Sequence, residues 1–178
     1  LGKPVTEIYE DGVDVDGERM RSYNVIWAAG VRASPLVQQL GIEAGPGGRA
    51  KVLGDCSVPG HPNVFVIGDA AWLVDARTGK PVPGVSQGAL QMGKYVAAII
   101  REEQSRAGSP PGAARAPHSS PTRSRGFHYK DFGSMATVGK SRAVVEIGPF
   151  RFGGLLAWLA WLALHITVLI GFRNRISV

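Results

Sequence analysis

Two stretches of the 178-residue chain place polar side chains where they could meet a ligand. In the first, NVFVIGDAA (63–71), an unbroken apolar run ends at Gly68 and is followed by Asp69. Such a run is typical of a strand covered on both faces, and ligands bind at the carboxyl ends of such strands in open α/β folds. Asp69 is then either a turn or helix-capping carboxylate, or an acceptor for the hydroxyls of a ribose or sugar alcohol. The small residues Ala70 and Ala71 favour the acceptor, because they leave room for a bulky ligand against the backbone.

The second stretch, SQGALQ (86–91), places two amide side chains on one face of a predicted helix. Gln87 and Gln91 are four residues apart, and Gly88 leaves the space between them free of a side chain. They are either a surface pair, which is common on helices, or they line the approach to a ligand at the positive N-terminal end of the helix. We predict that this helix runs from Ser86, as its N-cap, to about Gln104. Its buried face is predicted to carry four apolar residues: Ala89, Met92, Val96 and Ile99.

Short strands and turns precede these stretches. Residues 3–29 carry strand signals separated by tight turns at Asp11-Gly12 and Asp16-Gly17. Within them, the β-rich run Val25–Trp27 is followed by small residues up to Gly30, which predicts a second close approach of the backbone to a neighbour. A short helix is predicted over 34–41, with serine as its N-cap, proline at its first position and glycine at its end.

The second half of the chain contains one polar, low-complexity segment and one strongly apolar segment. Residues 105–126 consist largely of Pro, Ser, Ala, Gly and Arg, so they are predicted to be a disordered basic linker. Paired strands are predicted at 135–138 and 143–147. The segment 155–172 is apolar all round and is followed by Arg-Asn-Arg, and it just reaches the ~18–20 residues needed to cross hydrocarbon. A buried core helix, a transmembrane span and a helix lying in one leaflet stay open for it.

Composition narrows the classes of partner. The formal charge is +6, but the arginines concentrate in the linker and beside the apolar segment, which favours an anionic membrane surface over nucleic acid. Cys56 is the single cysteine, so neither an intrachain disulfide nor a thiolate metal cluster is expected. The four histidines are scattered and are assigned structural or surface roles. The chain opens at Leu1 without Met or a signal peptide, which we interpret as a cut rather than a natural N-terminus.

Five segments, in order, resemble the C-terminal part of type II NADH dehydrogenases: VIWAAGVRASPL, NVFVIGDAA, SQGALQMGKYVA, FHYKDFGSMATVGKSRAV and HITVLIGFRNR. Members of that family are FAD-containing NADH:quinone oxidoreductases that do not pump protons, and they belong to the flavoproteins with two dinucleotide-binding domains. The resemblance covers almost the whole chain.

The resemblance implies roles for individual residues. Asp69 matches the aspartate that hydrogen-bonds the FAD ribityl chain, and Gly68 and Ala70 match small residues that let the flavin lie close. Gln87 and Gln91 match the two catalytic glutamines beside the isoalloxazine ring and the quinone entrance, with Ser86 where the family has alanine. The other implied cofactor neighbours lie at a domain crossing and at the start of the helix: Ala29, Gly30, Gly88 and Ala89.

The resemblance also implies the fold: α/β, an incomplete two-dinucleotide-binding-domain (Rossmann-like FAD/NAD) flavoprotein fold with a C-terminal membrane-associated helical segment. It divides the chain into the end of the NADH-binding domain (1–30), the C-terminal half of the FAD-binding domain (31–104), the linker (105–126), a strand-rich region (127–154) and a membrane-attachment segment (155–178). The sequence contains no Gly-x-Gly-x-x-Gly loop, so we expect this chain to be inactive alone.

The implied activity is FAD-dependent oxidation of NADH with electron transfer to a membrane quinone. The implied location is the cytoplasmic face of the cell membrane, with Leu155–Val178 held in one leaflet and a single transmembrane span as the alternative. Two other classes compete with this reading: a non-catalytic membrane-anchored fragment or interaction module, and a soluble flavoprotein reductase. A homodimer is left open, and no nucleic-acid partner is expected.

Overall fold

The computed structural model describes residues 2–28, 30–107 and 120–168. Their strands, in chain order, are β1 Val5–Tyr9, β2 Gly12–Val15, β3 Glu18–Arg21, β4 Ala50–Lys51, β5 Ser57–Val58, β6 His61–Phe65, β7 Ala71–Trp72, β8 Val74–Asp75, β9 Lys80–Pro81, β10 Ser134–Thr137, β11 Ala143–Ile147 and β12 Phe150–Gly154. The α-helices are α1 Ser86–Ala107, α2 Pro121–Arg125 and α3 Leu155–Val168, and 3-10 turns cover Pro35–Leu40, Pro46–Gly48 and Gly68–Ala70. Strands β1–β3 and β10–β12 form antiparallel sheets, β4 pairs with β7 in parallel, and β5–β6 and β8–β9 are antiparallel pairs.

The N-terminal meander confirms the predicted strands up to Arg21 and the turn at Asp16-Gly17, but the first turn lies one residue earlier than predicted, at Glu10-Asp11, because Gly12 already belongs to β2. Asp16 (φ 54°) and Gly17 (φ 83°) join β2 to β3, and two successive positive φ angles give the turn whose twist matches antiparallel strands. The prediction of a strand over Val25–Trp27 is wrong. Ile26 is 90% exposed and Trp27 60%, because no described strand lies alongside to accept their backbone and side chains.

The strand that leads to Asp69 also differs from its prediction. β6 spans His61–Phe65 and pairs on one edge with β5, in antiparallel orientation. Apolar residues of the predicted run are partly open to solvent: Val64, in β6, is 40% exposed and Ile67, beyond its end, is 39% exposed. The prediction of a strand covered on both faces is therefore wrong for the described residues, since the sheet that would flank it is not formed by them.

Helix α1 provides one wall of the main core. It confirms the predicted helix and extends it by three residues, to Ala107. Met92, Val96 and Ile99 are buried at the predicted helical spacing. Two of them, with five residues from the surrounding strands and loops, form one apolar cluster: Cys56, Ala71, Leu73, Val82, Met92, Val96 and Phe127.

The predicted pair of strands near the C-terminus is confirmed as β10 and β11, with Thr137 opposite Ala143. Strand β12 extends this sheet, and α3 packs on it. Ala143 and Val145 of the sheet are buried against Ala157, with Trp158 and Trp161 packed around them. No helix within residues 2–28, 30–107 and 120–168 is long and apolar enough to cross a membrane.

The prediction of a disordered linker over 105–126 is wrong at both ends, while residues 108–119 lie outside the described residues. Helix α1 runs to Ala107, and α2 begins after Ser120, whose hydroxyl accepts from the Arg123 amide at 3.0 Å. The Arg123 guanidinium pairs with Asp55 at 2.6 Å and Glu103 at 2.9 Å. These contacts fasten α2 to α1 and to the loop before β5, which composition alone does not predict.

We expect Arg123→Met to lower the free energy of unfolding by about 2–4 kcal/mol, because it leaves the shielded Asp55 carboxylate without its cationic partner. Arg125→Met, an exposed position in the same helix, is the matched control and should change stability by less than about 0.5 kcal/mol. Urea unfolding followed by circular dichroism measures both. Equal losses in the two variants would contradict the role of the ion pairs.

Candidate functional site

The turn Gly68–Ala70 lies directly against the first turns of α1. Gly68 has φ +66°, and a Cβ added to it would stand 3.1 Å from the Ala89 Cβ, so both the backbone conformation and the close approach favour glycine there. The Gly68 amide also donates to Met92 Sδ at 3.2 Å. The sequence after β6 is thereby held on the N-terminal end of the helix.

Asp69 sits on this turn with its side chain exposed. Within the part of the chain that the structure describes, its carboxylate accepts no hydrogen bond and forms no ion pair. The capping alternative therefore has no support in the described residues. The carboxylate is available as an acceptor beside the helix N-terminus, where the free amides of Ser86–Gly88 carry partial positive charge.

Gln87 and Gln91 are half-buried and bonded to backbone groups of residues 130–133. Gln87 Nε2 donates to the Gly133 carbonyl at 2.6 Å, and its Oε1 accepts from the Phe132 amide at 3.2 Å. Gln91 makes the same two-way contact with Lys130, donating to its carbonyl and accepting from its amide, both at 2.9 Å. The two glutamines are therefore not a free surface pair.

Of the remaining predicted residues, Gly88 and Ala89 make packing contacts at the start of α1, whereas Gly30 does not. Gly88 is buried, and a Cβ there would stand 2.9 Å from the Pro83 carbonyl oxygen, so glycine lets the loop before α1 pack on the helix. Ala89 is the residue that meets Gly68. Gly30 (φ +91°) is exposed, and the atom that a Cβ there would meet is Trp27 Nε1, not the turn or α1. Ala29 lies outside the described residues.

Asp75 is a site residue that sequence reasoning missed. It is only 2% exposed and accepts from the Arg77 amide at 2.8 Å and the Tyr129 amide at 2.9 Å, with His128 Nδ1 at 3.1 Å. Burial by itself raises the pKa of Asp75, but these hydrogen bonds outweigh it and hold the pKa below its ordinary value. An ionised Asp75 thus fixes the start of the segment that meets the two glutamines. Its one sequence signal is its place before the Thr78-Gly79 turn.

Comparisons with known proteins cover the residues of the candidate site. Residues 1–93 match the pyridine nucleotide-disulphide oxidoreductase family. The chain is 45% identical over 186 residues to the type II NADH:quinone oxidoreductase Ndh of Mycobacterium tuberculosis, and 42% identical over 187 residues to NdhA of that organism. Each alignment covers 99% of this chain and 36% of the relative, so the chain spans about a third of the length of these curated relatives.

A solved structure gives the fold. NDH2 from Plasmodium falciparum, in complex with NADH, is similar with a TM-score of 0.69 at 14% identity, covering 98% of this chain and 48% of that one. At this identity the likeness concerns the fold alone. The expected Rossmann-like α/β fold is confirmed at that level, and the membrane role of the C-terminal segment stays a prediction.

Gly68→Ala should lower the free energy of unfolding by about 1 kcal/mol more than Gly79→Ala. Both glycines have φ +66°, so both substitutions carry the same backbone strain, but open space surrounds Gly79 whereas Gly68 faces Ala89. Chemical denaturation of the two variants measures the difference. In an Ala89→Gly background, Gly68→Ala should cost no more than Gly79→Ala, because the methyl group that it meets is gone; an undiminished extra loss in that background would refute the close approach as its cause.

Proposed function

Because this chain belongs to the pyridine nucleotide-disulphide oxidoreductase family, we propose that it serves FAD-dependent oxidation of NADH with electron transfer to a membrane quinone, without proton pumping. The observation that carries the proposal is the 45% identity, over nearly the whole chain, to a type II NADH:quinone oxidoreductase. The geometry adds support, because the turn bearing Asp69 and the N-terminal end of α1 lie together.

Gly68, Asp69 and Ala70 are suited to contact one side of a bound flavin. Asp69 offers a carboxylate with no described protein partner, which is the acceptor that the hydroxyls of a ribityl chain require. Gly68 and Ala70 leave the backbone accessible beside it. When bound, the flavin supplies the redox chemistry, taking a hydride from NADH and passing the electrons to quinone. The cofactor proximity of Ala29 and Gly30 rests on the resemblance alone.

The protein's own contribution here is electrostatic and positional. The free amides at the start of α1, next to Gly88 and Ala89, place partial positive charge where they would stabilise negative charge on a bound group. Gln87 and Gln91 lie on the first two turns of the same helix and are assigned to the quinone side. Each of these groups is held in place by packing or hydrogen bonds already formed within the chain.

Membrane attachment is proposed for residues 155–178, on the cytoplasmic face and within one leaflet. Several leucines of α3 are exposed, among them Leu155, Leu156 and Leu159. The described part of α3 contains no acidic residue, lysine or arginine. A helix that is apolar on its outer face while its inner face is packed on a sheet is suited to lie in a membrane surface.

We expect Asp69→Ala, made in the full-length protein, to reduce flavin occupancy at least about fivefold, since it removes a charged acceptor worth about 1.5–3 kcal/mol. The ratio of flavin to protein absorbance measures occupancy. Asp69→Asn, which keeps an acceptor oxygen, should retain more flavin than the alanine variant, and Glu10→Ala, exposed in the N-terminal meander, should retain all of it. Stoichiometric FAD in Asp69→Ala would refute the assignment.

Leu156→Glu combined with Leu159→Glu should weaken binding to anionic lipid vesicles by about tenfold or more, because burial of each leucine contributes about 1.5–3 kcal/mol. Co-sedimentation of the purified protein with the vesicles measures this binding. Leu36→Glu is the matched control, since Leu36 is 66% exposed and Leu156 73%. Unchanged sedimentation of the double variant would exclude α3 as the membrane contact.

A further inference from the structure

Residues 127–133 form a segment outside helices and strands, and it pairs with no described strand. Backbone N–H and C=O groups are strong hydrogen-bonding groups, and in this segment side chains supply their partners. The Tyr129 amide is bound by Asp75, both backbone groups of Lys130 by Gln91, and the Phe132 amide with the Gly133 carbonyl by Gln87. Three side chains thus take the place of a neighbouring strand.

The spacing of the two glutamines fits this role. Four residues along an α-helix advance about 6 Å, and two residues along an extended chain advance about 6.6 Å, so amides at i and i+4 match every second peptide of a strand. The match runs in the antiparallel sense, with Gln91 at Lys130 and Gln87 at Phe132 and Gly133. Each side-chain amide uses both its oxygen and its nitrogen, as a peptide unit of a partner strand would.

We propose that Gln87 and Gln91 are positioning residues that fasten residues 130–133 to α1, so that the sheet carrying α3 is tied to the helix end beside Asp69. Residues 130–133 lead directly into β10 of that sheet, and Ala89, between the two glutamines, contacts the Gly68 turn. The fastening is independent of the proposed function. Its consequence, that these glutamines influence quinone reduction through the segment they hold, rests on that function.

Amide hydrogen exchange in the full-length protein tests the fastening. We expect Gln91→Met to speed exchange at the Lys130 amide and Gln87→Met to speed it at the Phe132 amide, each about three- to tenfold, as for loss of one ordinary hydrogen bond. The Tyr129 amide, held by Asp75, should change little. Gln104→Met, exposed near the other end of α1, is the matched control. Unchanged exchange at positions 130 and 132 would overturn the proposal.

A second variant separates hydrogen bonding from space filling. In Gln87→Glu, the carboxylate cannot donate to the Gly133 carbonyl but still accepts from the Phe132 amide. Exchange at that amide should therefore stay slower in Gln87→Glu than in Gln87→Met, whose side chain fills similar space without an oxygen acceptor. Complete loss of protection at Phe132 in Gln87→Glu contradicts the proposal, even if Gln87→Met fails to fold.

Separate measurement of the two half-reactions distinguishes this proposal from the function on which its consequence rests. If exchange responds as expected but quinone reduction in Gln87→Met matches the wild type, the fastening stands and the placement of the quinone side is refuted. If exchange does not respond but quinone reduction slows, the fastening is refuted and the proposed function stands. Slower quinone reduction together with faster exchange at Phe132 supports both.

Discussion

Burial of one face of α1 is the constraint on which the main core and the placement of the candidate site depend. Met92, Val96 and Ile99 remove a continuous apolar stripe from water, and the loops and short strands that cover it are too small to form a core of their own. The same helix then presents its first turns to the Gly68–Ala70 turn. The position of Asp69 is therefore a consequence of how α1 is packed.

A second feature is that side chains complete hydrogen-bonding patterns that strands would normally complete. Asp75, Gln87 and Gln91 bind the backbone of residues 129–133, and Arg123 binds Asp55, Glu103 and the Pro62 carbonyl. Such contacts are directional and partly shielded from water, so they fix the relative placement of elements more tightly than apolar contact alone. This fixation is what a site assembled from separate short elements requires.

Much of the local structure could be predicted because local rules govern it. The Asp16-Gly17 turn, the serine and glycine that bound the 3-10 turn Pro35–Leu40, and the spacing of Met92, Val96 and Ile99 depend on neighbours in sequence. The runs Val25–Trp27 and Val64–Ile67 could not be predicted in the same way. A strand needs a partner supplied from elsewhere, and apolar composition says nothing about whether that partner is present.

The sequence by itself determined which side chains are candidates: a carboxylate after Gly68, two amides one helical turn apart, and an apolar C-terminal helix. Only the tertiary structure decided what each one contacts. In it, Asp69 is exposed beside the N-terminal end of α1, and Gln87 and Gln91 hydrogen-bond residues more than 35 positions away in the sequence. The physical reason is that side-chain identity sets what bonds can form, whereas long-range packing sets which donors and acceptors come within about 3 Å.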